Sequence, residues 1–199
     1  MGKLVSLKEC NIKLIGGQIM SRITTKFEDS EKYGEIKVVI PKSICADGTV
    51  NIDDLAEETL KVAPDEKRIT KVDDIVLKLS TPYDAAIIDE DSAGCIVPSF
   101  CAIIQYPDTI DKYYLLAYLN SETCKEQLKQ QVAGATITVL SVGKVSNVQI
   151  PLIDIEEQKK IGRAYYETQQ KLKLLNEIIK LESERNSIVF NNMVNEYGN

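Results

Sequence analysis

Over its first 150 residues the chain alternates short apolar runs with Gly, Pro, Asp and Asn, the punctuation of strands and tight turns. Residues 4–8, 36–40, 75–79, 85–88, 95–104 and 145–150 read as strands. In Glu35-Ile36-Lys37-Val38-Val39-Ile40 the apolar positions 36, 38 and 40 alternate as a half-buried strand requires, and Pro41 ends the run. Asp47-Gly48 supplies a tight turn. Asp84 and the acidic run Asp89-Glu90-Asp91 flank the strand at 85–88 as solvated loops. Residues 111–120 and 121–132 carry helical spacing instead, the second with Cys124, Leu128 and Val132 on one face and Gly134 just past its end. There is no internal repeat.

The texture changes at Pro151. From residue 155 to 197 there is no proline, and Gly162 is the only glycine, so this span reads as one helix. Asp154 caps it, with Glu157 three residues on completing a capping box. At 1.5 Å per residue the helix extends about 65 Å, more than a 150-residue head can cover. Steps of four and three from Ile161 pass through Tyr165, Thr168, Leu172, Leu175, Ile179, Glu182, Asn186, Val189 and Met193, a heptad seam with three polar interruptions. A second stripe, Leu174, Ile178, Leu181 and Ile188, lies one position aside. The combined arc is too wide for a two-strand seam and predicts more than one neighbour. The competing reading folds the helix back onto its own head as ordinary core. Its length weighs against that.

Composition narrows the chemistry. The chain has 199 residues, 44% apolar and 27% charged, which is ordinary globular usage. No apolar run is long enough for a membrane helix and the start lacks a secretory core, so a soluble, cytoplasmic protein is expected. Five cysteines, with no CxxC pair, suggest neither zinc nor disulfides and read as small buried thiols. The absence of histidine removes Ser-His-Asp and Cys-His arrangements and His-ligated metals. No metal or other cofactor is expected. The net charge of −6 argues against a free-standing nucleic-acid binder, yet residues 1–45 carry a net +3 and residues 46–112 a net −9. A basic face can coexist with an acidic total.

Three local matches fail. Ser80-Thr81-Pro82-Tyr83 resembles the Asn/Asp-Pro-Pro-Tyr/Phe loop of adenine methyltransferases, but the first proline and a glycine-rich loop for the methyl donor are missing. Pro64-Asp65 and Pro107-Asp108 lack the Asp/Glu-x-Lys that a metal-dependent nuclease needs. Met1-Gly2-Lys3-Leu4-Val5-Ser6 fits a myristoylation pattern that six residues match by chance often.

The stretch from Val142 to Ile161, with Ile150-Pro151-Leu152 and Ile155-Glu156-Glu157-Gln158 at its centre, is followed by the long heptad helix. It resembles the junction in specificity subunits of type I restriction-modification systems, where a target-recognition domain ends in Ile-Pro-Leu-Pro-Pro-Leu-Glu-Glu-Gln and passes into a spacer helix. Ile153 and Asp154 replace the two prolines. Val72-Asp73-Asp74-Ile75-Val76-Leu77 is similar to the family's Gly-Asp-Ile-Leu strand entry, and residues 113–119 with Ala133-Gly134-Ala135 to its paired helices and glycine loop.

The resemblance implies an α+β fold: a target-recognition domain over residues 1–150, built on a twisted, mainly antiparallel sheet, then a coiled-coil helix over 151–199. Full family members hold two such heads and two helices in one chain. The resemblance therefore implies a half-length unit that pairs antiparallel with a second copy and docks methyltransferase subunits, with the restriction subunit as a further candidate partner. Such a chain would read double-stranded DNA and perform no catalysis. The DNA contacts expected on this basis are Arg22 and Lys26 after the Gly16-Gly17 turn, Lys78, Ser80, Thr81 and Tyr83 around the loop leaving the strand at 75–79, and Thr136 beyond Gly134. The dimer and partner surface would comprise Ile161, Tyr165, Leu172, Leu175, Ile179, Val189 and Met193 with Leu174, Ile178 and Leu181. Two rival classes stay open: a coiled-coil adaptor or regulatory protein whose head binds another protein, and a standalone enzyme using carboxylate or Cys chemistry.

Overall fold

The computed structural model describes residues 2–25, 33–134 and 139–197, the last two by backbone alone. Among these residues eight strands and four α-helices follow in order: β1 (Lys3–Ser6), β2 (Lys13–Gly16), β3 (Gly34–Val38), β4 (Ala56–Leu60), β5 (Ile75–Lys78), β6 (Ala85–Ile87), β7 (Cys101–Gln105), α1 (Lys112–Asn120), α2 (Glu122–Gln130), α3 (Val142–Val145), β8 (Gln149–Leu152) and α4 (Ile155–Tyr197). The expected α+β architecture, antiparallel pairing and long C-terminal helix are all present.

The central sheet runs β2-β7-β5-β6, antiparallel throughout, with β5, β6 and β7 buried on both faces and β2 only partly covered. Ile75 and Leu77 of β5, Ala102 and Ile104 of β7 and Ala85 of β6 enter one core, shared with Leu115 and Leu119 of α1 and Cys124 and Leu128 of α2. Val76, Cys101, Ile103 and Ala86 enter another with Val39, Ile44, Val50 and Val97. The period of two is kept, but both of its halves are apolar, which is why these strands read as unbroken hydrophobic runs. Two smaller ribbons complete the head. β3 and β4 pair with Val38 opposite Ala56 and pack through Val38 and Leu60 on Ile23 and Ile96. β1 pairs with β8, Val5 opposite Ile150, and so clamps the start of the chain to the strand that leads into α4.

Several expected elements shift. The strand expected at 145–150 is β8, four residues later, because Ser141 caps α3 through its Oγ, which accepts from Lys144 N at 3.4 Å. Pro151 lies inside β8, opposite Leu4, tolerated because a two-stranded ribbon leaves a free edge where no N–H is needed. The run at 95–104 is broken: Ile96 bridges to Val38 and Ile69, Pro98 bridges to Gln18, and only then does β7 begin. Gly17 is required at that crossing, since a Cβ there would collide with the Pro98 carbonyl oxygen. β2 and β4 were not foreseen. β4 reads Ala-Glu-Glu-Thr-Leu, and its strand character comes from its pairing with β3.

Asp111 caps α1, its Oδ1 accepting from Tyr114 N at 2.9 Å, and Ser121 caps α2, its Oγ accepting from Cys124 N at 3.2 Å. Asp154 accepts from Glu156 N at 2.9 Å as expected of a cap on α4. The second half of the expected capping box does not form, because Glu157 pairs with Lys160 at 2.6 Å. Cys10, Cys95, Cys101 and Cys124 are buried thiols, whereas Cys45 is half-buried.

Candidate nucleic-acid interface

The joint between head and rod is built first. Gln158 is 1% exposed, and its carboxamide accepts from Asp111 N at 3.0 Å while donating to Thr109 O at 3.3 Å and Ile153 O at 2.9 Å. One turn on, Gly162 lets α4 lie against the first turn of α1, where a Cβ would collide with Asp111 Oδ1 and stand 2.7 Å from Tyr114 N. Tyr165 packs on the head core and its hydroxyl accepts from Asn120 Nδ2 at 3.1 Å. Tyr166 meets Tyr113 with ring centroids 4.6 Å apart. The cleft along this joint, lined in part by Gly48, Thr49, Leu116, Gln169 and Gln170, has about 40 Å³ of room, space for a water rather than a ligand. Beyond Gln170 every α4 side chain through Asn195 is exposed. Leu172, Leu174, Leu175, Ile178, Ile179, Leu181, Ile188, Val189 and Met193 all belong to that stretch, as do Phe190 and Val194, which the heptad reading missed.

Ile161 is 45% exposed, at the proximal end of the seam. Tyr165, next on the seam, is held by its own head. The expected DNA contacts scatter. Gly17 and Lys78 stand at one end of the sheet, both beside Cys101: Gly17 N donates to Cys101 O at 3.0 Å, and Lys78 is in register with Cys101. From there the chain carries Arg22, exposed, toward the β3–β4 ribbon, where the adjacent Ile23 packs. Ser80 and Thr81 lie in the β5–β6 turn, half-buried and exposed respectively, followed by the cis Thr81–Pro82 bond. Tyr83 is 1% exposed and belongs to the core, so its ring packs rather than projects. Lys78 is inward too, donating to Asp84 Oδ2 at 2.9 Å while Lys125 donates to Asp84 Oδ1 at 2.7 Å. Burial pushes the Asp84 carboxyl up, but the hydrogen bonds from Lys125 and Lys78 outweigh it and hold the group below the usual carboxylate range. Lys26 and Thr136 lie outside the described residues.

A basic groove that the sequence pattern does not reveal runs over the face of β2 that carries Lys13 and Ile15, beside Gln105 of β7. Ile15 and Ile69 line it, with Lys13, Lys67, Lys71, Gln105 and a single acidic side chain, Glu66, around them. It encloses about 350 Å³ and adjoins a second groove of about 340 Å³, lined by Asn11, Tyr106 and Pro107, through the shared Lys13 and Gln105. None of the three lysines takes part in an ion pair among the described residues. They come from positions 13, 67 and 71, so no local run of charge announces them. Lysines around a polar groove are what phosphate contact requires, and the amides of Asn11 and Gln105 are of the kind that reads base edges.

Other chemistry is poorly provided for. Burial pushes the thiols of Cys101 and Cys124 up to about 12, far from thiolate at neutral pH. Among the described residues no three Cys, Asp or Glu side chains group as a metal site would need, and no helix is long and apolar enough to cross a membrane.

Solved structures share this architecture. A chain from work on complex assembly and conformational transition of the type I R-M system is 20% identical, with a TM-score of 0.62, over 92% of this chain and 42% of that one. The HsdS subunit from Thermoanaerobacter tengcongensis is also 20% identical, with a TM-score of 0.61, over 88% and 39%. The type I restriction-modification S subunit from M. genitalium is 16% identical, with a TM-score of 0.56, over 93% and 44%. The chain thus spans about two fifths of the length of the solved chains it matches. No curated protein sequence matches it. The family described as type I restriction modification DNA specificity domain matches over residues 15–183, from β2 through most of the rod, and the chain belongs to that family.

Proposed function

We propose that this chain is the DNA-reading component of a type I restriction-modification complex and performs no catalysis itself. The head, residues 1–150, reads one part of a bipartite site in double-stranded DNA. The rod, residues 151–199, pairs with a second copy and offers its remaining apolar flank to methyltransferase subunits. The observation that carries this reading is the combination of a specificity-domain head with a rod that leaves it: beyond Gln170, leucines and isoleucines lie 43–67% exposed along the heptad seam and the stripe beside it. That much apolar surface needs a cover. The solved chains it matches are more than twice as long, so two copies would supply the length that one of them holds.

In the head, Lys13, Lys67 and Lys71 position the phosphates, with Arg22, Ser80 and Thr81 as further contacts where their side chains reach solvent. An acidic total is compatible with this, since methyltransferase subunits can supply much of the phosphate neutralisation. Mapping modified adenines in DNA from the source cell, with and without the gene, tests the reading. A bipartite methylated site that vanishes on deletion supports it, and an unchanged methylation pattern refutes it. If the head instead binds another protein, no duplex from a random pool will be favoured even with methyltransferase subunits present.

A further inference from the structure

The seam of α4 carries its polar residues off-centre, and their placement selects one way of closing it. Leu175, Ile179, Val189 and Met193 are apolar and exposed, and Glu182 and Asn186 interrupt them. We infer that α4 packs against α4 of a second copy in a single antiparallel register, in which Leu175 faces the partner's Met193, Ile179 faces the partner's Val189, and Glu182 faces the partner's Asn186. The inference rests on the pairing proposed above and adds its register.

Three observations lead to it. A parallel pair sets every seam residue against itself, and so would bury Glu182 against the partner's Glu182, two like charges in one layer. An antiparallel pair matches alternate seam positions, and only certain shifts are allowed. Sliding one heptad one way puts Ile179 opposite Glu182 and Leu175 opposite Asn186. Sliding it the other way puts Glu182 opposite Met193 and Asn186 opposite Val189. Both bury a polar group against an apolar one without a partner, which the intermediate register avoids in every layer from Leu175 to Met193. There, apolar layers meet apolar layers, and the polar layer joins a carboxylate to an amide that can donate to it. Arg185 already stands beside Glu182, Nη1 to Oε2 at 3.1 Å, so the carboxylate arrives with its charge balanced.

The same register fits the joint. Its layers lie wholly in the part of α4 that has left the head, after Gln170, so neither head obstructs the other's rod. The two-fold axis passes beside Glu184, and at 1.5 Å per residue the two Gln158 anchors stand about 78 Å apart along the rod. The stripe of Leu174, Ile178, Leu181 and Ile188 stays outside the seam, open to another protein.

Cysteine cross-linking of the full chain tests the register. Chains carrying Leu175→Cys and chains carrying Met193→Cys are mixed, allowed to exchange and oxidised, beside the wild-type chain, whose own five thiols set the background. The expected result is a disulfide dimer in the mixture and none from either variant alone. A dimer from either variant alone indicates parallel helices and overturns the register. A cross-link between Leu172→Cys and Val189→Cys in place of the expected one indicates the shifted register and overturns it equally. No cross-link in a chain that light scattering shows to be dimeric overturns the register and leaves the pairing standing. A monomeric mass for the wild-type chain overturns both.

Discussion

Gln158, on the first turn of α4, accepts a hydrogen bond from the backbone N–H of Asp111 at 3.0 Å, and Asp111 in turn caps α1 through Tyr114 N. The start of the rod and the start of α1 are therefore fixed by one chain of hydrogen bonds, and the angle at which the rod leaves the head follows from it. Replacing Gln158 with leucine leaves Asp111 N–H, Thr109 O and Ile153 O without that partner in a buried place. The expected cost is about 1–3 kcal/mol for the unsatisfied groups, read as a lower urea midpoint. A midpoint unchanged from wild type would show that the joint does not depend on this amide.

Gly162 tests the same joint by volume. Alanine is the better helix former by about 1 kcal/mol, so Gly162→Ala stabilises an isolated helix. Here the added Cβ collides with Asp111 Oδ1, and the expected net effect is a loss of about 1–3 kcal/mol in thermal or urea unfolding. Gly143→Ala is the control, since a Cβ there meets nothing within 4 Å. Gly162→Ala behaving like Gly143→Ala would mean that α4 sits further from α1 than the structure places it.

Asp84 should make the head acid-sensitive. Its side chain is 4% exposed between Lys78 and Lys125, at 12% and 16%. Because the folded carboxyl lies below its unfolded value near 3.8, its contribution is complete above that pH and is lost as pH falls through the folded value. Urea midpoints are expected to drop as pH falls below about 4, with part of the drop missing in Asp84→Asn. At neutral pH that variant leaves two partly buried ammonium groups without their counter-charge, and a loss of about 3–5 kcal/mol is expected.

If the β2 groove carries phosphates, replacing Lys13, Lys67 and Lys71 together with alanine should weaken DNA binding by the assembled complex across sequences alike. The slope of log affinity against log salt should then fall by up to about 0.9 for each phosphate that is no longer neutralised. Unaltered affinity and slope would assign the phosphate contacts elsewhere.

Leu175→Asp with Ile179→Asp places charges in the middle of the rod's seam without touching the head. Light scattering should then report a single chain where the wild type reports two, while circular dichroism of the head is preserved. A mass that does not change would remove the seam from the interface.

The rod was legible in the sequence because its signals are local: Asp154 as a cap, 43 residues without proline, and apolar residues at heptad spacing that a helix gathers into one stripe. The strands of the central sheet were legible for a similar reason, since burial on both faces leaves continuous apolar runs such as Ile75-Val76-Leu77. Pattern failed where pairing decides. β4 is charged and becomes a strand by lying beside β3, and the run at 95–104 is cut by the Pro98 crossing at Gly17. Among the candidate contacts, Lys78 and Tyr83 have the chemistry of surface readers but face inward, because Asp84 and the core claim them.

What the sequence determined by itself is therefore the helix, its periodicity and the apolar segments, all properties of neighbours along the chain. Only the tertiary structure decided which polar groups remain open to a partner. Lys13 and Lys67, 54 residues apart, meet around one groove, while Gln158 and Asp111, 47 apart, are tied at the joint. Groups so far apart in sequence have no shared local signal, since what joins them is the packing of the whole head, with its free energy set by burial and hydrogen-bond satisfaction rather than by spacing.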